Sequence, residues 1–323
     1  MVQIGLKLCS EERDPAGLID DARRAEEAGF NFAAISDHFH PWIDAQGQSP
    51  FVWTTLGGIA AATERLTVGT AVTCPTIRIH PAIIAQAAAT AGALMPGRFF
   101  LGVGTGERLN EHVLGDRWPN AGQRREQLRE AVEVIRELWG GELVSHEGAH
   151  FEVDTARLYT LPGEPIPIYV AAGGPEAARL AAEIGDGLMS SGPNEDVVRT
   201  YGEAGGGGPC LAEMLVCVAE EDEAIRTIQE RWPNPGIPGD ALAELPLPSD
   251  FEKAATAVRE EDLRSSSVVG LEPEPYVERI NEYARMGFTH VFLHQVGTDQ
   301  EPFLQLAERA LIPAVRDIQT SAA

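Results

Sequence analysis

Lysine is nearly absent from this chain. Of its 25 basic side chains only Lys7 and Lys253 are lysines, and the rest are arginines. Against them stand 49 acidic side chains in 323 residues, a formal net charge of -24. A surface of that sign repels a phosphate backbone, so nucleic acid is not an expected partner. Cysteine is also scarce. Cys9, Cys74, Cys210 and Cys217 show neither a C-x-x-C pair nor zinc-ligand spacing, which speaks for reduced thiols and against a disulfide framework. No apolar run reaches the roughly 18 residues of a membrane span. The opening MVQIGLKLCSEERDP has neither a basic n-region nor the apolar stretch of a secretory signal. The expectation is a cytoplasmic protein that does not engage membranes.

What is present alternates. Short apolar, β-branched runs begin near residues 2, 32, 66, 98, 166, 187, 213 and 289, with helical periodicity between most of them. The clearest helix is 123–139, where Leu128, Ala131, Val132, Ile135, Leu138 and Trp139 form one apolar stripe. Apolar strands joined by helices imply a parallel sheet covered on its faces, and eight such units suit a closed (β/α)8 barrel. An open doubly wound sheet would want G-x-G-x-x-G after the first strand. SEERDPAG stands there instead, and GVGTGE (102–107) ends in Glu where glycine is required. The chain reads as one barrel domain, 1–323, with an irregular insertion at about 202–265 marked by GEAGGGGPC, WPNPGIPGD and LPLPSD. SVVG (267–270) is a candidate extra strand.

In a barrel the residues just after each strand converge on one mouth. Here those are Ser36-Asp37-His38, Ala71-Val72-Thr73-Cys74, Thr105-Gly106-Glu107, Ala172-Gly173-Gly174, Ser191-Gly192 and His294-Gln295. Small residues leave room for a flat ligand and let backbone N–H groups approach it. His38-x-His40 suggests a metal site, but the ends of the fifth and sixth strands supply no further ligands, and no metal is expected. The alternative is acid–base chemistry. The His38 imidazole can accept a proton from a hydroxyl, Glu107 can stabilise or donate one elsewhere, and Trp42 offers an apolar wall with one N–H donor. Asp37 could orient a ring or simply cap a helix.

SDHFHPW (36–42), GTAVTCPT (69–76), HPAIIAQ (80–86), FFLGVGTGE (99–107) and IPIYVAAGGP (166–175) resemble the luciferase-like barrel family of flavin- and deazaflavin-dependent oxidoreductases. Within it the nearest likeness is to the glucose-6-phosphate dehydrogenases that use coenzyme F420, an 8-hydroxy-5-deazaflavin. The likeness is strong over 1–192, weak over 193–265, and returns in GFTHVFLHQVGTDQEPFL (287–304). It implies a TIM barrel of the bacterial-luciferase type, with insertions at the C-terminal face, and hydride transfer with F420 as cofactor. It further implies His38 as the base, Trp42 as a stabiliser of the intermediate, Glu107 at the deazaflavin and Glu11 near the substrate. Asp37, Ala71, Val72, Thr73, Cys74, Thr105, Gly106, Ala172, Gly173, Gly174, Ser191 and Gly192 would hold the cofactor, with Arg78 a further candidate. A non-proline cis peptide is implied at Ala71–Val72, and a homodimer is common in the family.

One departure concerns substrate. The sugar-phosphate enzymes grip phosphate with two lysines and an arginine. Pro193, a position near Leu242, and Ser266 align there, and Cys74 replaces a Thr. A dianion without cationic donors is poorly held, so a non-phosphorylated alcohol is favoured unless Lys253, Arg259 or Arg264 rebuild the site. The competing readings are an FMN-dependent monooxygenase on the same barrel and a cofactor-free binding protein.

Overall fold

The computed structural model describes residues 2–237 and 241–315. Four strands, β1 (Gln3–Leu8), β2 (Phe32–Ile35), β3 (Thr67–Thr70) and β4 (Phe99–Val103), alternate with helices α1 (Pro15–Ala28), α2 (Val52–Ala62) and α3 (Pro81–Leu94). After a short α4 (Arg108–Glu111) comes the long α5 (Ala121–Trp139), followed by a hairpin of β5 (Val144–Glu147) and β6 (Glu152–Ala156). The main sheet resumes with β7 (Ile168–Ala171), α6 (Pro175–Ile184), β8 (Gly187–Ser190), α7 (Glu195–Glu203), β9 (Cys210–Cys217) and α8 (Glu221–Arg231). Short helices α9 (Ala241–Glu244), α10 (Pro248–Ala255) and α11 (Glu260–Ser266) precede β10 (Val268–Val269), α12 (Glu274–Arg285), β11 (His290–Gln295) and α13 (Glu301–Leu306).

The ring runs β11-β1-β2-β3-β4-β7-β8-β9, and β9 pairs with both β8 and β11, which closes it. Every pairing in the ring is parallel. This is the eight-stranded barrel expected from the alternation, with SVVG adding β10 to the outside of β9. The 202–265 stretch is more regular than its glycines and prolines suggest. It contains barrel strand β9, helix α8 and three short helices, so the excursion proper starts after Arg231. The hairpin β5–β6 was not foreseen; its strands are too exposed to carry an apolar signature.

Local chemistry sets the helix ends. Asp14 caps α1 by accepting from Gly17 N at 2.7 Å, Pro15 opens the helix, and Gly29 closes it at φ 96°. Asn120 and Gln123 form a capping box at α5, whose Leu128, Ala131, Val132, Ile135 and Leu138 are buried as the stripe requires.

Strand alternation then divides the core in two. Ile4, Leu6, Leu8, Ala33, Ile35, Val291 and Leu293 pack outward against the helices. Phe32, Ala34, Phe100, Met189, Leu211 and Phe292 fill the barrel interior. A third cluster, built from Ile43, Leu109, Leu215, Trp232, Phe251 and Leu263, seals the mouth beneath the excursion.

The strands approach so closely between β3 and β4 that only glycine fits. A Cβ on Gly102 would sit 2.0 Å from the Thr70 carbonyl oxygen, while the Thr70 hydroxyl donates to Gly102 O at 2.7 Å. Gly102→Ala is expected to destabilise the fold by more than about 2 kcal/mol, read as a lower urea midpoint with an unchanged slope.

Candidate active site

The same alternation that fills the barrel with rings puts polar groups on its inner wall near the C-terminal end. Lys7, one position from the end of β1, is 7% exposed. Its ammonium donates to the Ala71 carbonyl at 3.0 Å and lies 3.7 Å from Glu213 of β9. Glu213 also meets Nδ1 of the fully buried His294 on β11 at 2.7 Å. Burial pushes the Glu213 carboxyl up, but Lys7 and His294 overcome it and bring it down to about 2. Burial likewise disfavours the charged Lys7, yet Glu213, Glu11 and Cys9 hold its pKa above the ordinary lysine range.

Above this layer sit the expected reacting groups. Glu11 follows β1 and is 1% exposed; its Oε1 lies 3.2 Å from His38 Nδ1. Its other oxygen accepts from the Ser36 hydroxyl at 2.7 Å. Burial raises the Glu11 carboxyl, whereas His38, Lys7 and Ser36 more than offset that and leave it below the usual carboxylate range. The Trp42 indole packs 5.1 Å from the His38 ring, between it and Phe251 of α10 at a further 5.1 Å. His38, Trp42 and Glu11 are thus brought together, as expected. His40 goes elsewhere: its Nδ1 faces the Leu109 carbonyl at 2.9 Å and its ring stacks on His112. The two rings of H-x-H therefore have separate partners.

On the neighbouring side, Asp37 uses both oxygens. Oδ1 accepts from Arg78 and Oδ2 from the Thr73 hydroxyl, each at 2.8 Å. Arg78 in turn lies 3.6 Å from Glu111, whose second oxygen accepts from Arg78 N at 2.7 Å. Burial drives the Glu111 carboxyl up to about 7; the Arg78 amide and guanidinium oppose that, while Glu107 and Asp37 add to it. The Cys74 thiol is buried and paired with the Thr76 hydroxyl at 3.1 Å. Glu107 precedes α4, its carbonyl accepting from Asn110 N and Glu111 N, and its half-buried side chain has no hydrogen bond among the described residues. Asn110 reaches back to the amides of Phe39 and His40, tying the Glu107 turn to the His38 loop. Ala71–Val72 is a cis peptide, as the resemblance implied.

The remaining strand ends form an open shelf. A Cβ added to Gly173, Gly174 or Gly192 would meet nothing within 4 Å. Ala172 is buried beneath, Ser191 is exposed, and the Ser190 hydroxyl donates to the Gly192 carbonyl at 2.9 Å. Thr105 and Gly106 are half-buried at the adjoining end of β4. Over the opposite side lies the excursion. Trp232 sets its edge against the His294 ring at 4.3 Å, and Gln46 bridges Trp42 N to the Arg231 carbonyl, both at 2.8 Å.

A family model described as luciferase-like monooxygenase matches residues 2–290. The chain belongs to that family. It is 36% identical, over 98% of both chains, to an F420-dependent glucose-6-phosphate dehydrogenase of Microbacterium testaceum. Its identity to the protein of the same name from Nakamurella multipartita is 37%, over 98% of this chain and 97% of that one. Among solved structures, an F420-dependent secondary alcohol dehydrogenase in complex with an F420-acetone adduct superposes with a TM-score of 0.91 at 29% identity. That match covers 97% of this chain and 99% of the other. Three solved monooxygenases share the barrel at 19% identity or lower, a likeness of fold alone.

Sequence reasoning missed Lys7, Glu213 and Glu111. A signal existed for the first two: each is a charge inside an apolar strand at the parity of interior residues Gly5 and Leu211. Glu111 gave none, because its burial depends on how α4 folds under Arg78. Its protonation yields a test. The folded carboxyl titrates higher than an unfolded one, so its contribution to stability is full below the ordinary glutamate range and is lost as pH rises through about 7. Glu111→Gln mimics the neutral acid. It is expected to match wild-type stability at about pH 4.5 and to exceed it by about 2 kcal/mol above pH 8, measured by urea denaturation across that range.

Proposed function

We propose that the protein is a coenzyme F420-dependent oxidoreductase that moves a hydride between the carbinol carbon of a non-phosphorylated alcohol or sugar and the deazaflavin C5. The observation that carries the reading is the Glu11–His38–Trp42 cluster, a buried carboxylate 3.2 Å from an imidazole that lies beside an indole. The names and titles of the relatives supply the cofactor. The shelf at Gly173, Gly174 and Gly192, with Ala172 and Ser191, is bare backbone beside open space, and it suits an extended cofactor. Ala71, Val72, Thr73, Cys74, Thr105, Gly106 and the Asp37–Arg78 pair would hold the ring.

Coenzyme F420, when bound, supplies a two-electron hydride acceptor or donor. The chain provides the proton chemistry. Glu11 occupies the Nδ1 side of His38, which leaves Nε2 to take the hydroxyl proton of the alcohol. The Glu11 carboxylate then stabilises the charge the ring acquires, as a buried partner does far better than water. Trp42, backed by Phe251, excludes water on one side of that ring. Glu107, whose side chain has no hydrogen bond among the described residues, would hold or release a proton at the cofactor.

Against a phosphorylated substrate stands the placement of the cations. Lys253 is 77% exposed and paired with Asp250 on its own helix. Arg259 is paired with Asp262 and Glu261, and Arg264 with Glu221 and Asp222. Arg231, at the end of α8, faces Glu12 and donates to the Ala45 carbonyl. Each of these four already faces an acid. The relatives' names favour glucose 6-phosphate, and an alcohol panel with and without phosphate decides between the two. A homodimer is part of the same proposal, with Ile83 and Leu94 of α3 among the apolar side chains left exposed.

Titration with F420 and FMN side by side is expected to show binding of F420, with secondary alcohols oxidised in preference to sugar phosphates; preference for FMN or for the phosphorylated sugar would overturn the assignment. His38→Ala is expected to lower kcat by about 100-fold or more while leaving F420 affinity within a few-fold. Unchanged turnover would remove His38 from the mechanism.

A further inference from the structure

Beneath the Glu11–His38 pair lies a second polar cluster that this chemistry does not use. Cys9 ends the first strand's inner row, Glu12 follows it, and His294 stands on the adjacent β11. A donor atom of each lies within 4.8 Å of the other two, and all three residues are buried. Two of the buried polar atoms without a hydrogen-bond partner belong to this cluster, Glu12 Oε1 and His294 Nε2. Such atoms are costly to leave unmade.

Their orientation is fixed from behind. Glu213 Oε1 holds His294 Nδ1 at 2.7 Å, which points Nε2 at the cluster. Glu12 Oε2 accepts from Gly297 N at 3.0 Å, which leaves Oε1 free to turn inward. The Cys9 thiol donates to Glu11 at 3.2 Å. A carboxylate on the far nitrogen of a histidine is the arrangement that orients a metal-ligating imidazole. We propose that Cys9, Glu12 and His294 form a buried site for one zinc-class divalent cation.

Charge and donor type agree with that occupant. A thiolate, a carboxylate and a neutral imidazole sum to two negative charges, so a dication leaves the buried site neutral. Nitrogen and sulfur donors select zinc over magnesium or calcium, and three protein ligands leave one position open. Tetrahedral ligation at about 2.0–2.3 Å requires the donors to draw together by roughly an ångström. Binding displaces the thiol proton now shared with Glu11, which is released to solvent. The competing cation is Arg231, whose Nε lies 3.8 Å from Glu12 Oε1. Its side chain is 29% exposed and also reaches the Ala45 carbonyl, so it can withdraw.

The test uses the full chain, stripped with chelator and without any deazaflavin, so its outcome is separate from that of the proposed function. Zn2+ and Co2+ are titrated alone. Expected are one cation per chain and a thiolate-to-cobalt charge-transfer band. That band should be abolished in Cys9→Ser, retained in Cys210→Ser, and shifted to roughly ten- to hundredfold higher Co2+ concentration in Glu213→Gln. Should Cys9→Ser fail to fold, X-ray absorption of the zinc-loaded wild type decides: one sulfur among the ligands supports the site. No stoichiometric uptake, a band surviving in Cys9→Ser, or a shell with no sulfur or several would overturn it.

Discussion

A charge taken out of water must find its opposite, and this barrel carries a dense set of charges on its inner wall. Lys7 is matched by Glu213 and Asp37 by Arg78, while Glu11 lies beside His38 and the raised carboxyl of Glu111 beside Arg78. Each pair is made across strands or strand ends, never within one. Breaking one partner would leave the other stranded in a low-dielectric interior, which costs far more than an exposed pair ever contributes. The relative positions of β1, β2, β3, β9 and β11 at the mouth are therefore held by electrostatics as well as by the ladder. That is how an imidazole on one loop can keep a fixed distance from a carboxylate on another.

The pairing also sorts the arginines and lysines of the chain into two populations. Lys7 and Arg78 are internal and structural to the mouth. Lys253, Arg259 and Arg264 are external and neutralised by acids one or two turns away or on a neighbouring helix. With so large an excess of carboxylates, many exposed cations have an acid close by, although Arg108, next to Glu107, has no acidic partner among the described residues.

Much of this was legible beforehand. Strand positions followed from apolar runs, because a parallel barrel buries both faces of its strands and reads as continuous hydrophobicity. The grouping of His38 and Trp42 followed from their place after the second strand together with the family likeness of SDHFHPW, and that of Glu11 from the family likeness alone. Less was visible where packing decides. β5 and β6 are exposed and polar, so they left no periodicity. The helices of 241–266 were hidden behind prolines that begin helices as readily as they end them; Pro248 opens α10. Glu12 looked like one more acid in SEERD until the Gly297 amide showed it turned inward.

The wall behind His38 is shared between two parts of the chain that the barrel does not otherwise join. Trp42 comes from the loop after β2, and Phe251, which props it, comes from the excursion after α8. Gln46 and the Arg231 carbonyl stitch the same two segments together. Selection for a bulkier or smaller substrate could therefore act at residue 251, which lies behind the indole, and tilt the wall. Glu11 and His38, which follow β1 and β2, would stay where they are, so under the proposed function substrate range and chemistry can drift separately in this scaffold.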